Sequence, residues 1–190
     1  PRLRLLGQLA GTYLVAESAE GLVVVDQHAA HERVLYEQLL RDRARGAHAQ
    51  LLAAPVTVDL SPSEVAVLPE VSSVLRELGL EVEPFGGSTV LVRSVPVISG
   101  RLPREAVLRA CLREGLWDGA PTAGQRAVER AASVLACHSA VRAGDALSVE
   151  EMRALLQDLE RCDDPYTCFH GRPTLVVVPL DRLEGWFLRR

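Results

Sequence analysis

Hydrophobic and polar positions alternate in blocks along the chain, and each block predicts one element of secondary structure. Two short apolar runs, Tyr13–Glu17 and Gly21–Val25, flank the polar segment 18–20 and predict a β-hairpin. From Ala29 to about Arg45 the apolar residues recur at helical spacing, which predicts an amphipathic helix. A strand-to-helix junction is therefore expected between Val25 and Ala29.

The middle of the chain predicts a strand at Pro55–Leu60, a helix and a second hairpin. The helix starts at Ser61-Pro62-Ser63-Glu64, where Ser is the N-cap, Pro the first helical residue and Glu the reciprocal capping partner. We expect it to end near Leu78, before a hairpin made by Leu80–Phe85 and Thr89–Val95.

The C-terminal part predicts mainly helices. The expected elements are a helix at Pro103–Leu116, a helix from Pro121 through Cys137, a helix from the capping box at Ser148 to about Arg161, a strand at Thr174–Val178 and a short helix after Asp181. The mixture of short strands and helices predicts an α/β fold of the α+β type.

Two lobes are expected within this fold. The middle block begins and ends at Pro/Gly-rich junctions, so residues 54–120 are interpreted as an inserted lobe. Residues 1–53 and 121–190 then form one discontinuous lobe, which brings residues 26–37 close to residues 137 and 168–170.

Composition limits the classes of function. The chain has 190 residues and a net charge of −4, which argues against a nucleic-acid surface covering the whole domain. The longest apolar runs are too short to cross a bilayer, and no secretory leader is visible. We therefore expect reduced cysteines in a cytoplasmic protein, and the start at Pro1 suggests a fragment of a longer chain.

Side chains of the metal-ligand type cluster at three places: 26–37, 136–138 and 168–170. His28 and Glu32 are four residues apart on the predicted helix, so both can face one ion, and Asp26 at the strand end can reach the same point. Glu37 lies roughly 140° around the helix from Glu32, so it is expected to orient a partner or form a salt bridge. Extended backbone would place Cys168 and His170 on the same side.

A metal site competes here with simpler interpretations. An isolated pair such as His28 and Glu32 is more often a surface hydrogen bond, and Cys137 in its apolar helix is more often a small buried hydrophobe. Cys168 and His170 alone would be loop residues. The metal site is favoured because all three places share one ligand chemistry, whereas a metalloprotease HExxH motif fails at Leu35.

The ligand types predict the ion and the reaction. Thiolate and imidazole favour Zn²⁺, while the added carboxylates suit Mn²⁺ or Mg²⁺ with open positions, as in metal-assisted hydrolysis. For a phosphodiester substrate, Arg172 would add a planar donor to the phosphate. A structural zinc site is the competing interpretation, although such sites are normally closed by four Cys or His ligands.

The three motifs closely resemble the C-terminal endonuclease domain of the MutL family of DNA mismatch-repair proteins. The family signature consists of DQHA, any two residues, Glu, any four residues and a second Glu. This signature is complete here from Asp26 to Glu37. Ala136-Cys137-His138 resembles the second motif, and the segment from Cys168 to Pro173 resembles the third. Phe169 replaces the usual Pro, and His138 stands where Lys or Arg is common.

The resemblance implies a homodimeric domain with a dimerisation lobe and an inserted regulatory lobe. It implies nicking of one DNA strand near a mismatch, with catalytic Mn²⁺ and regulatory zinc, in a nucleoid-associated protein that also has an N-terminal ATPase domain and a mismatch-sensing MutS partner. Asp26 and Glu32 are the implied catalytic carboxylates. The implied metal ligands are Asp26, His28, Glu32, Cys137, Cys168 and His170, surrounded by Gln27, Glu37 and His138.

One further segment resembles a partner-binding peptide of the family. Gln50, Leu52 and Pro55 match the pattern Gln-x-Leu/Met-x-x-Pro with which family nucleases contact the DNA sliding clamp. The alternative is an ordinary loop entering the strand at Pro55–Leu60. With an acidic domain, duplex DNA binding by this chain alone is expected to be weak, and the competing function is a non-catalytic dimerisation and clamp-docking module with a structural zinc.

Overall fold

The computed structural model describes residues 2–46, 49–98, 110 and 125–189. Its strands are β1 (Arg4–Leu9), β2 (Tyr13–Ser18), β3 (Gly21–Asp26), β4 (Ala49–Asp59), β5 (Glu81–Gly86), β6 (Thr89–Pro96) and β7 (Leu175–Pro179). Its helices are α1 (Gln27–Ala44), α2 (Pro62–Glu77), α3 (Gln125–Ser139), α4 (Val149–Glu160) and α5 (Leu180–Trp186). Helices and two antiparallel sheets confirm the predicted α+β class.

The chain divides into two compact units. Unit 1 consists of Pro1–Val34 and Ala140–Arg190, and unit 2 of Leu35–Ser139. The expected roles of the two lobes, and the limits 1–53, 54–120 and 121–190, stay predictions. The predicted helix at Pro103–Leu116 and the start at Pro121 lie outside the described residues, apart from the helical Ala110.

Unit 1 is built on a four-stranded antiparallel sheet in the order β1-β2-β3-β7. The predicted hairpin is confirmed as β2 and β3, whereas β1 was not predicted. Alternate residues of β2 and β3 point to the core because side chains alternate along a strand. The core also contains one face of α4; its members include Leu14, Ala16, Val23, Val25, Leu155, Leu156 and Leu159.

Unit 2 contains a three-stranded sheet in the order β4-β6-β5. The predicted start of α2 is confirmed, because the Ser61 hydroxyl accepts a hydrogen bond from the Glu64 amide and the Glu64 carboxylate accepts one from the Ser61 amide. β4 begins at Ala49, earlier than expected, and its pairing with β6 is interrupted between Leu51 and Val56.

The second predicted capping box is also confirmed. In unit 1, Ser148 and Glu151 form this box at the start of α4. Among the described residues, no helix combines the length and apolar composition needed to cross a bilayer.

Candidate metal centre

The motif that begins at Asp26 lies where β3 passes directly into α1. The Asp26 amide donates to the Thr174 carbonyl at 2.9 Å, which fixes the end of β3 beside β7. Its carboxylate Oδ1 accepts from the amides of His28 at 2.9 Å and Ala29 at 3.1 Å. This is the arrangement of a helix N-cap, and it explains why α1 begins at Gln27.

Glu32 is the centre of the site. The residue is only 1% exposed, and two imidazoles approach different oxygens of its carboxylate. His28 Nε2 is 3.3 Å from Oε1, and His170 Nδ1 is 3.4 Å from Oε2. The donor atoms of Glu32, Cys168 and His170 all lie within 4.8 Å of one another. The structure therefore brings together a carboxylate, a thiol and an imidazole at one point.

These residues fit a divalent cation. Glu32 Oε2 is buried, and no donor of the described residues reaches it in hydrogen-bonding geometry. A buried carboxylate needs a compensating cation or hydrogen bonds, because desolvation of its charge is costly. Two ligands at the usual distances from a tetrahedral zinc ion are about 3.4 Å apart, which is close to the separations around Glu32.

Cys168 and His170 reach Glu32 because their loop is attached to α1. Arg33, the neighbour of Glu32, donates to the Thr167 carbonyl at 2.5 Å and lies 3.4 Å from the Asp164 carboxylate. Asp164 in turn accepts from the Thr167 hydroxyl at 2.5 Å and the Tyr166 amide at 3.1 Å. The Thr167 hydroxyl is the main cause of the lowered pKa of Asp164, and Tyr166 and Arg33 add to it.

The same loop closes on itself around Cys168. The Cys168 amide donates to the Arg172 carbonyl at 2.8 Å, and the Gly171 amide donates to the Cys168 carbonyl at 2.9 Å. Gly171 has a φ of +77°, which residues with a side chain rarely adopt. Phe169 packs its ring against that of His170 with centroids 4.3 Å apart.

A backbone carbonyl determines which nitrogen of His28 faces Glu32. His28 Nδ1 lies 2.8 Å from the Val141 carbonyl oxygen. A carbonyl can only accept, so Nδ1 carries a hydrogen, and Nε2 is the nitrogen that faces Glu32. The Val141 amide donates to His31 Nδ1 at 3.0 Å, so the same peptide group contacts two histidines of α1.

The remaining predicted residues are not part of the group formed by Glu32, Cys168 and His170. Cys137 and His138 are half-buried on α3 in unit 2, so their part in the ligand set stays a prediction. Glu37 is buried in unit 2 and forms an ion pair with Arg41 at 3.6 Å. Arg172 is exposed on the loop that carries Cys168. Of the proposed clamp residues in β4, Gln50 and Pro55 are exposed and Leu52 is half-buried.

Comparison with known proteins identifies the family. A family model described as the MutL C terminal dimerisation domain matches residues 6–147. The chain belongs to this family. The assignment made from the three sequence motifs is thereby confirmed.

Several curated relatives are similar over nearly the whole chain. DNA mismatch repair protein MutL of Methanothrix thermoacetophila is 44% identical over 190 residues, covering 100% of this chain and 34% of that protein. The protein of the same name from Desulforudis audaxviator is 44% identical over 189 residues, covering 100% of this chain and 33% of that protein. The one from Azorhizobium caulinodans is 44% identical over 185 residues, covering 96% of this chain and 29% of that protein. The chain thus spans about a third of the length of these relatives.

Proposed function

We propose that this chain is the metal-dependent nicking endonuclease domain of a mismatch-repair MutL protein. The single observation that carries the proposal is the buried Glu32 carboxylate, which meets Cys168 and His170 at a point where no hydrogen bond from the described residues compensates Oε2. The relatives named DNA mismatch repair protein MutL support a role of this chain in DNA repair.

Different residues of the site have ligand atoms that suit different metal ions. Cys168, His170, Glu32 and His28 would hold Zn²⁺, whereas carboxylates such as Asp26 suit Mn²⁺ or Mg²⁺. A divalent ion bound beside a phosphodiester polarises the phosphate and activates a water for hydrolysis.

The protein contributes positioning and charge around this chemistry. Asp26 uses Oδ1 to cap α1, so its carboxylate is held at a fixed place at the start of the helix that carries His28 and Glu32. Arg172 is exposed on the Cys168 loop, where a guanidinium is suited to bind a phosphate oxygen of the DNA backbone. The overall charge of −4 means that this chain holds DNA weakly, and that tight binding depends on the ATPase domain, MutS and the sliding clamp.

The segment Gln50–Pro55 is the proposed clamp contact. It lies in β4, an edge strand of its sheet, and its residues 52–55 fall between Leu51 and Val56, where the pairing with β6 is interrupted. An exposed, irregular edge segment leaves backbone donors and acceptors available to a partner. Stimulation of nicking by the clamp, lost on replacing Gln50 with Ala, would support this contact.

A second copy of the chain is the proposed partner of unit 1. On the sheet face opposite the core, Val15 pairs with Val24 and Val24 pairs with Val176, which is 56% exposed. Trp186 and Phe187 at the end of α5 are 61% and 72% exposed. Exposed apolar side chains of this kind are typical of an interface. Replacing Val176 with Glu should convert dimers to monomers in analytical ultracentrifugation, and an unchanged dimer would contradict this assignment.

Nicking of supercoiled plasmid with Mn²⁺ tests the enzymatic function, with Asp26→Asn as the matched variant. Asn retains an oxygen that can cap α1, so this change removes the charge and leaves the helix start intact. We expect nicking by the wild type and its loss in the variant, with folding and dimerisation unchanged.

The competing function, a dimerisation and clamp-docking module with a structural zinc, predicts a different result. The wild type would then bind zinc and form dimers, but it would not nick even when the clamp is added. Activity that survives in Asp26→Asn would also overturn the proposed role of this carboxylate.

A further inference from the structure

Gln27, the second residue of the motif, is a fully buried polar side chain with a complete set of partners. It is 0% exposed, and its Oε1 accepts from the Gln8 side chain at 2.7 Å. Its Nε2 faces the carbonyl oxygens of Gly11 at 2.7 Å, Arg142 at 3.0 Å and Asp145 at 3.1 Å. Because carbonyls only accept, the amide has one possible orientation here.

These contacts join the turn after β1 to the segment 141–145. The Gly144 amide donates to the Gly11 carbonyl at 2.9 Å, beside the Gln27 contact. Within the segment, the Arg142 amide donates to the Asp145 carboxylate at 2.8 Å, which makes a closed turn. Gln27 therefore binds a turn that is already closed by its own hydrogen bond. Val141 is the residue directly before this turn.

The Val141 carbonyl, held in this way, is the acceptor for His28 Nδ1 at 2.8 Å. If the carbonyl moved away, nothing in this contact would keep the hydrogen on Nδ1, and both the ring orientation and the tautomer of His28 would vary. His28 Nε2 would then no longer be held at 3.3 Å from the Glu32 carboxylate. The partner of a ligand histidine fixes its tautomer and orientation in this manner.

We infer that Gln27 is a positioning residue that fixes the His28 tautomer for metal binding through the Val141 carbonyl. Gln27 does not contact the ion in this role. The inference rests on the proposed function, since it assigns His28 Nε2 to a metal. It gives the second position of the DQHA motif a physical role, a buried amide whose two hydrogens are shared among three carbonyls.

The test compares Gln27→Leu with Leu159→Ala in the 190-residue chain. Leu159 is a fully buried member of the unit 1 core, so its truncation destabilises the same unit through a cavity, with no change of a hydrogen bond. At a temperature where both variants are folded by circular dichroism, zinc affinity is measured by competition with a chromogenic chelator. We expect a 10–100-fold loss of affinity for Gln27→Leu, typical of lost support to a ligand histidine, and a change of about twofold or less for Leu159→Ala.

A second measurement separates this inference from the proposed function. The nitrogen chemical shifts of the histidine rings in the metal-free chain at pH 8 report the tautomer directly. We expect His28 Nδ1 to carry a hydrogen in wild type and in Leu159→Ala, and to carry it only part of the time in Gln27→Leu. The wild type could fail to bind zinc while the tautomer of His28 still depends on Gln27. This result would overturn the proposed metal function but not the positioning role of Gln27. An unchanged tautomer and affinity in folded Gln27→Leu would overturn the positioning role.

Discussion

Replacement of Glu32 by Gln should have opposite effects on the metal-free and the zinc-bound protein. In the metal-free state Glu32 is a buried carboxylate whose Oε2 accepts no hydrogen bond from the described residues, and an unsatisfied buried polar group costs about 1–3 kcal/mol. Gln removes the charge, and its amide can donate to the Nε2 lone pair of His28. We therefore expect the metal-free variant to be more stable than wild type by about 1 kcal/mol or more, which raises Tm by about 2–4 °C per kcal/mol in a chain of this size.

Zinc reverses the order of stability. At about 100 times the Kd, a ligand that binds only the native state stabilises it by about 2.7 kcal/mol, which corresponds to a rise in Tm of about 5–11 °C. Wild type should show this rise, and the Glu32→Gln variant should show little of it, because a neutral amide is a poor zinc ligand. Thermal unfolding followed by circular dichroism, with zinc and with a chelator, measures all four states.

Glu37→Gln is the matched control for the metal-free state. Glu37 is on the same helix and is also buried, but its charge is compensated by Arg41 at 3.6 Å. Its removal should not raise the Tm of the metal-free chain. A metal-free Glu32→Gln protein less stable than wild type, or a zinc shift equal to that of wild type, would refute the reasoning about the buried charge.

Three further predictions concern the structure around the site. Asp26→Ala should lower the free energy of unfolding by about 0.5–2 kcal/mol because the cap of α1 is lost, whereas Asp26→Asn should retain it; equal losses in urea denaturation would contradict the cap. Gly171→Ala should destabilise by about 1–2 kcal/mol, because a side chain is unfavourable at positive φ, whereas Gly185→Ala, within a helix, should be neutral or stabilising; similar effects of the two changes would argue against the turn. The pKa of Asp164 is lowered chiefly by the Thr167 hydroxyl, so the charge of Asp164 stabilises the fold above the ordinary carboxyl pKa, and this stabilisation is lost as the pH falls through the lower folded pKa. Asp164→Asn should therefore be less stable than wild type at pH 7 but not near pH 2. A loss of stability that is the same at both pH values would contradict this.

Local sequence patterns determined most of the secondary structure. The hairpin of β2 and β3, the capping boxes at Ser61 and Ser148 and the i, i+4 contact of His28 with Glu32 were all predicted, because each depends on residues close in sequence. β1 was missed because its sequence, RLLGQL, lacks a regular alternation of apolar and polar residues. The family, too, followed from sequence, because its motifs are sets of residue types at fixed spacing.

Only the tertiary structure determined which role each residue of the motif has. Sequence spacing identified Asp26, Gln27 and Glu32 as members of one motif, but it did not distinguish a helix cap, a buried positioning amide and a desolvated carboxylate. These differences arise from contacts between distant segments: the Cys168 loop reaches Glu32 through Arg33, and the 141–145 turn is held by Gln27. Burial and long-range hydrogen bonds depend on how the strands and helices of unit 1 pack, and no local period encodes that packing.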